Sequence, residues 1–428
     1  MRNALIACLC AVLLLAALPM LLSQGLLNAA IQMLIAALFA CAYNLLCGQA
    51  GMLSFGHAAY FGVGVFATVH AMNAVGGAGL LPTPLMPLAG ALGGLVFGAV
   101  AGWFATQRSG TYFAMITLAI AELVHSLAPH LKGVFGGEAG ISTMRMPAWG
   151  LDFGSTAQVY YLTLVWVLAA LALLYLYTRT PLGRLTLGLR ENRERLRFLG
   201  YNVHGLSTVV FAISAMFSGV AGALQVISNE SANYVVFDPA LSAAVVLNTY
   251  IGGVQVFLGP ALGAALMTFF GYAVSDLTRA WLLYQGILFV VVMMFVPAGL
   301  SGLAALARRS GERYGWRRFA PLLLLAVAAA ALACAGTVFI VELLQRLFSQ
   351  EYQSMIRLDP ARSWPPVPLF GFSWSPSAAL TWLVPALLCG GAGALGWTCR
   401  RYLSTLPRAG ASQAMPAPSA PRGSTEAA

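Results

Sequence analysis

The sequence predicts an all-α, polytopic transmembrane helical bundle, and two compositional observations carry that prediction. Of 428 residues, 60% are hydrophobic and only 8% are charged. Soluble domains carry roughly a quarter charged residues and slightly under half apolar ones. The chain is therefore not a water-soluble globular, disordered or disulfide-rich secreted protein. Its elements are apolar all round, which suits a helix whose solvent is lipid.

A bilayer-spanning helix needs about 20 mostly apolar residues. On that criterion twelve spans begin near Ala4, Leu26, Phe55, Pro84, Tyr112, Ala157, Gly205, Pro239, Gly259, Trp281, Phe319 and Ala378. The run behind Arg2 is long for a leader's apolar region and lacks a small-residue cleavage site, so it reads as a retained helix. The span from Pro239 is the weakest, with a break or re-entrant turn expected at Gly252-Gly253. Small residues should mediate packing, since lipid offers no hydrophobic drive for helix association. Gly90, Gly94, Gly98 and Gly102 form an every-fourth ladder that serves either static close packing or a gliding surface.

The net charge is +10, and all but one of the 23 basic residues are arginine. Without a basic patch interleaved with aromatics, this charge is topogenic, and no nucleic acid is expected as a partner. Placing the N-terminus inside puts seventeen basic residues on the cytoplasmic side and six outside, which predicts N-in, C-in topology. The seven cysteines lie in apolar runs without metal-ligand spacing, so no metal is expected.

The most informative polar stretch is 178–204. Thr180 can cap a helix with Pro181 at its first position. Leu182, Leu185, Leu189 and Leu196 then share one side of an amphipathic helix whose remaining surface is crowded with Arg and Glu. Gly200 supplies the stop. This pattern fits docking onto a soluble partner, the plainer alternative being a solvated linker or an interfacial helix on anionic lipid.

That segment, TPLGRLTLGLRENRERLRFLGYN, resembles the coupling loop of permease subunits of branched-chain amino acid ABC importers, a family that includes urea and short-amide permeases. NLLCGQAGMLSFGHAAYFGVGVFA (44–67), GTYFAMITLAIAE (110–122), FAISAMFSGVAGALQ (211–225) and IGGVQVFLGPALGA (251–264) resemble the same family. The likeness covers about residues 25 to 305 and is closest to the M-type permease. It implies a permease domain over 1–305; beyond it, two apolar runs predict an extension with two further spans over 306–405, and a Pro-, Ala- and Ser-rich composition predicts a disordered tail over 406–428. The likeness also implies a second permease subunit, two cytoplasmic ATP-binding subunits and an extracytoplasmic substrate-binding protein, in a bacterial inner membrane. Carried over residue by residue, ATPase docking falls on Arg190, Glu191, Asn192, Glu194, Leu199, Gly200 and Tyr201. Arg195, Arg197 and Phe198 are bulkier than the family pattern leads one to expect. No G-x-x-x-x-G-K-[ST] motif is present, so ATP belongs to a partner and the chain carries no cofactor and no enzyme site of its own.

Polar residues within the spans supply the pathway candidates. Gln49, Ser54 and His57 lie in a glycine-rich break, and irregular backbone at membrane depth survives only beside a cavity or buried in protein. Glu122 lies about 15 Å along its span, where exposure to lipid would cost roughly 2.5–3.5 kcal/mol. It should face protein or water, with His125 one turn on as a possible hydrogen-bond partner. Glu230, Asp238 and Asp276 read as loop charges. No acid/base or nucleophilic constellation emerges.

The expected function is import of branched-chain amino acids or related small amino-acid-like solutes, urea and amides included. The rival is a stand-alone proton-coupled carrier using Glu122 and His125.

Overall fold

Each of the twelve apolar runs is helical. In this computed structural model, residues 2–76, 81–296, 298–303, 307, 316–358 and 364–405 are described. The expected tail, 406–428, lies outside them. The chain divides into two units, Met1–Leu303 and Ala304–Ala428.

The first unit contains α1 (Arg2–Leu21), α2 (Gln24–Asn44), α3 (His57–Ala71), α4 (Pro87–Ala105), α5 (Thr111–Leu127), α6 (Lys132–Phe135) and α7 (Thr156–Arg179). These are followed by α8 (Pro181–Glu191), α9 (Arg193–Phe198), α10 (Val203–Asn229), α11 (Pro239–Gly252), α12 (Gly259–Ser275) and α13 (Trp281–Phe295). Across both units, six described helices are long and apolar enough to cross a membrane singly, or seven if α5 and the segment Lys132–Ala139, bent by 92°, count as one. That is fewer than the twelve expected spans. The helices α11, α12 and α13 have 14, 17 and 15 residues. At ~1.5 Å per residue they reach roughly 21–26 Å, short of the ~30 Å hydrocarbon core.

The weak span from Pro239 ends where its glycines lead one to expect. Gly253 has a φ of +103°, a conformation that favours glycine and stops α11. A Cβ on Gly252 would lie 2.1 Å from the Gly259 carbonyl oxygen, so the chain folds back tightly into α12.

The core centres on α10, which packs against α4, α3 and α2. The Gly90–Gly102 ladder is buried and faces α10. A Cβ on Gly94 would lie 2.4 Å from the Ala215 carbonyl oxygen, and one on Gly219 2.2 Å from that of Gly90. Backbone meets backbone here, the small-residue contact that drives association in lipid.

At its far end α10 stops at Glu230, which has a φ of +53°. The Glu230 carboxylate accepts bonds from the Arg145 backbone N–H (2.9 Å) and side-chain Nε–H (3.1 Å). A two-residue antiparallel pair, β1 (Ile141–Ser142) with β2 (Ser231–Ala232), closes the same loop. Asp238 accepts from the Ala240 N–H at the start of α11. Glu230 and Asp238, read from sequence as plain loop charges, therefore tie backbone segments together. Replacing the partly exposed Glu230 by Ala is expected to cost about 1 kcal/mol. The unfolding midpoint should fall by roughly 2–4 °C. An unchanged midpoint would show that β1–β2 holds the loop unaided.

In the second unit, α14 (Trp316–Leu347) and α16 (Ala379–Thr405) pair along their lengths. Between them lie α15 (Gln350–Leu358) and a hairpin of β3 (Val367–Leu369) and β4 (Phe372–Trp374). Phe339, Leu343, Leu347, Tyr352, Val367 and Leu369 form its core. The hairpin turns at Phe370 and Gly371, with φ of +54° and +81°. Phe370 and Phe372 remain exposed. Aromatic side chains left open in this way suit an interfacial belt.

Candidate functional site

The glycine-rich stretch after α2 is a break in a span. The α2 helix widens into one turn over Leu45–Gln49, and the backbone then runs irregularly to Gly56 before α3 begins. Four neighbouring helices bond the break and the helix ends that flank it. Thr117 of α5 accepts from the Phe55 N–H through Oγ1 (3.2 Å). Ser242 of α11 accepts from the Ala58 N–H (2.9 Å). Arg190 of α8 donates to the Gly48 carbonyl oxygen (2.6 Å). A Cβ on Gly51, whose φ is +67°, would lie 3.2 Å from the Arg190 Cα.

Ser214 of α10 makes the fourth connection. Its hydroxyl donates to the Ala42 carbonyl oxygen (2.6 Å), which commits its only proton. The 2.9 Å contact between Ser214 Oγ and His57 Nε2 therefore has Nε2–H as donor. His57 Nδ1 then accepts from the Ser54 hydroxyl (3.1 Å), and Ser54 Oγ accepts from the Gly56 N–H (3.3 Å). The result is a neutral imidazole with both nitrogens used, fully buried among Tyr43, Tyr60, Phe39 and Phe211. Ser54 and His57 thus pin α2, α3 and α10 around the break. Gln49 is half-buried in the widened turn.

The 178–204 segment is two helices rather than one. Thr180 caps α8 by accepting from the Gly183 N–H, as its position before Pro181 predicts. At Asn192 the backbone becomes extended (φ −161°), and its side chain caps α9 by accepting from the Arg195 N–H. Gly200 then stops α9 with a φ of +87°. Three of the four seam leucines face inward: Leu189 and Leu196 are 2% and 7% exposed, and Leu185 packs on the same core, while Leu182 is left exposed. That corrects the expectation of a continuous apolar seam offered to a partner, because the helices of the same chain already cover most of it. What stands out instead is Phe198, 89% exposed, with Leu199 at 65% and Tyr201 at 46%. Glu191 and Glu194 are exposed too, and Glu194 pairs with Arg197 at 3.1 Å.

Glu122 lies on the open face of α5, one helical turn beyond the exposed Leu118 and in line with Met115. No hydrogen bond joins it to His125 among the described residues, and the buried Nδ1 of His125 has no partner. The ring of His125 instead lies 6.3 Å from that of Tyr234. The same face of α5 walls an open cavity of about 610 Å³, which is also lined by Gly51 to Leu53 and Phe55 of the break and by Arg193 of α9. Burial pulls the Arg193 guanidinium below its ordinary pKa, since half of it is out of water.

Sequence reasoning missed several of these groups. Thr117, Ser214 and Ser242 are hydroxyls in apolar helices, a signal that fits capping of irregular backbone as well as helix packing. A second cavity, of about 690 Å³, is lined by Gln32 of α2, Gln225 of α10, Asn248 of α11 and Gln285 of α13, with Asp238 and Thr268 among otherwise mostly apolar side chains. Amides within four apolar helices were the available hint. Their convergence depends on helix packing.

A family model described as "Branched-chain amino acid transport system / permease component" matches residues 25–297. The permease LivM of Escherichia coli K12, named for high-affinity branched-chain amino acid transport, is 28% identical over 306 residues, spanning 66% of this chain and 71% of LivM. The permease BraD of Pseudomonas aeruginosa, named for the same transport, is 23% identical over 62% of this chain and 91% of its own. The xylose permease XylH of E. coli K12 is 26% identical over 47% of this chain and 67% of its own. No solved structure matches the chain. The matched span contains the break, the α5 face and all of α8–α9. This chain belongs to the permease family of branched-chain amino acid ABC importers.

Proposed function

We propose that the protein is the membrane-spanning permease subunit of an ATP-driven, binding-protein-dependent importer in a bacterial inner membrane. Its solute is a branched-chain amino acid or a related small amino-acid-like molecule. The observation that carries this reading is the seating of α8–α9. Arg190 and the buried leucines root the segment on the break, while Phe198, Leu199 and Tyr201 stand free at its outer edge. A rigid body with one end on the span break and an apolar, charged-rimmed edge outside suits transmission of a partner's motion.

On this reading two cytoplasmic ATP-binding subunits dock on 178–204. Glu191, Asn192, Glu194, Leu199, Gly200 and Tyr201 lie at the contact, and Arg190 passes the motion inward. ATP is bound by those subunits, so this chain needs no cofactor and carries no catalytic site. The open face of α5 meets a second permease subunit across the pathway. That neighbour removes Glu122 from lipid, where a lone carboxylate would cost roughly 2.5–3.5 kcal/mol. Gln49 borders the pathway, and Ser54 and His57 hold the break that shapes it. The topology is N-in, C-in, which places the arginine-dense loop on the ATPase side. An extracytoplasmic binding protein delivers solute to the opposite face. The permease domain covers 1–305, and the extension over 306–405 adds two spans. The rival proton relay through Glu122 and His125 is weakened by the missing hydrogen bond between them.

The test is co-purification from native membranes in mild detergent. The Phe198→Ala/Leu199→Ala pair is expected to insert normally and to lose about tenfold or more of the recovered ATPase, the loss of ~1.4 kcal/mol or more that two exposed apolar anchors can account for. Full ATPase recovery together with full uptake would sink the docking role. A chain that purifies alone and still supports gradient-driven uptake would establish the carrier instead.

A further inference from the structure

A separate cavity of about 530 Å³ lies where α4 ends and α5, α9 and α10 begin. Three guanidinium groups, of Arg108, Arg193 and Arg197, line it together with His204, and Glu194 is its one carboxylate. Glu194 is already paired with Arg197. Among the described residues neither Arg108 nor Arg193 has a carboxylate partner. Arg193 is half-buried, so its charge is held without either a counter-ion or full hydration. Ser207 and Thr106, both buried, add hydroxyls to the wall, although Thr106 is engaged with His204 (3.0 Å) and Thr208 (2.9 Å).

A half-buried arginine without a counter-ion, with the exposed Arg108 beside it in one concave site, suits an anion with several acceptor oxygens. The planar guanidinium fork suits phosphate in particular. The surroundings indicate where that anion comes from. Trp103 and Phe104, in the last turn of α4, are 51% and 56% exposed, and Tyr112, in the first turn of α5, is 68% exposed. Exposed Trp and Tyr at the ends of apolar helices mark the headgroup level of a bilayer. Tyr112 itself lines the cavity. Basic pockets between helices at this level hold lipid head groups.

We propose that this cavity binds a phosphate-bearing anion, supplied by the head group of an anionic phospholipid. The arginines would then fix the α4–α5 turn and α9 to the bilayer surface. This inference does not depend on the transport reading, because it concerns lipid binding by the chain alone.

The experiment uses the full-length chain purified in mild detergent, with bound lipid counted by native mass spectrometry and thermal unfolding followed in parallel. The probes are dioleoyl phosphatidylglycerol, dioleoyl phosphatidylcholine and inorganic phosphate. Phosphatidylglycerol should bind and stabilise where phosphatidylcholine does not. Arg108→Gln/Arg193→Gln should weaken that binding about fivefold per arginine removed, or about 25-fold in all. Arg184→Gln/Arg195→Gln removes the same charge outside the cavity and should change binding less than about twofold. Should the first pair fail to fold, Arg108→Gln alone, at an exposed position, carries the same readout. If inorganic phosphate raises the midpoint and displaces the lipid, the anion site stands with free phosphate as its source. Equal binding of both lipids with no response to phosphate would overturn the proposal, as would wild-type affinity in the Arg108 variants. That pattern is what a cavity reserved for an acidic side chain of a partner subunit would give.

Discussion

Gly219→Leu is expected to abolish recovery of folded protein, and even Gly219→Ala should lower the unfolding midpoint in detergent by roughly 5–10 °C. The reason is the absence of anything soft to move. A Cβ at this position would meet the Gly90 carbonyl oxygen at 2.2 Å and the Gly94 Cα at 3.1 Å, both backbone atoms of α4. Overpacking a core costs typically 1–3 kcal/mol where side chains can shift. Here α4 and α10 must separate as rigid helices, so the alanine should cost at least about 2–3 kcal/mol, or roughly 2–4 °C for each. Gly396→Ala in α16 is the control, because nothing lies within 4 Å of its added carbon. It should be neutral or slightly stabilising, since alanine favours a helix over glycine by ~1 kcal/mol. If Gly219→Ala and Gly396→Ala unfold at the same temperature, the close contact between α4 and α10 is not what holds the bundle.

Arg190→Gln is expected to cut solute uptake about tenfold while leaving membrane insertion and ATPase recovery intact. The guanidinium bond to the Gly48 carbonyl oxygen is charge-assisted, and such bonds contribute roughly 1.5–3 kcal/mol. Losing ~1.4 kcal/mol of coupling between α8 and the break corresponds to that tenfold effect. Arg190→Lys keeps a charged donor and should recover part of the activity. Retention of ATPase separates this variant from Phe198→Ala/Leu199→Ala, which should lose the partner itself. Normal uptake in Arg190→Gln would show that motion reaches the spans by another route. The two variants thus divide the 178–204 segment into an inner anchor and an outer contact.

The division was only half visible in the linear chain. Thr180 before Pro181 and the stop at Gly200 are local features, set by capping geometry within four residues, and both are present as expected. Asn192 was legible as a docking residue through the family resemblance, but not as a helix cap. Whether it continues a helix or caps the next depends on how the flanking turns sit on the bundle. The inward direction of Leu189 and Leu196 depends on the same packing, since periodicity shows that apolar residues share a face without showing what covers it. His57 is a similar case. Its type and its glycine-rich surroundings pointed to the break, but the closed chain from Gly56 through Ser54 and Ser214 to Ala42 joins residues 172 positions apart.

Short motifs carried the family resemblance, while composition and apolar periodicity established a mostly helical membrane protein, its twelve helical segments and the interruption at Gly252-Gly253. All of these are short-range or aggregate properties, and each needs no more than a window of about 20 residues. Helix packing settled that the glycine ladder is backbone contact with α10 and that Arg190 points into its own chain. It also brought Arg108 to the same cavity as Arg193 and Arg197. Those outcomes depend on distances between segments far apart in the chain, and such distances follow from how whole helices fit together, beyond the reach of any local pattern.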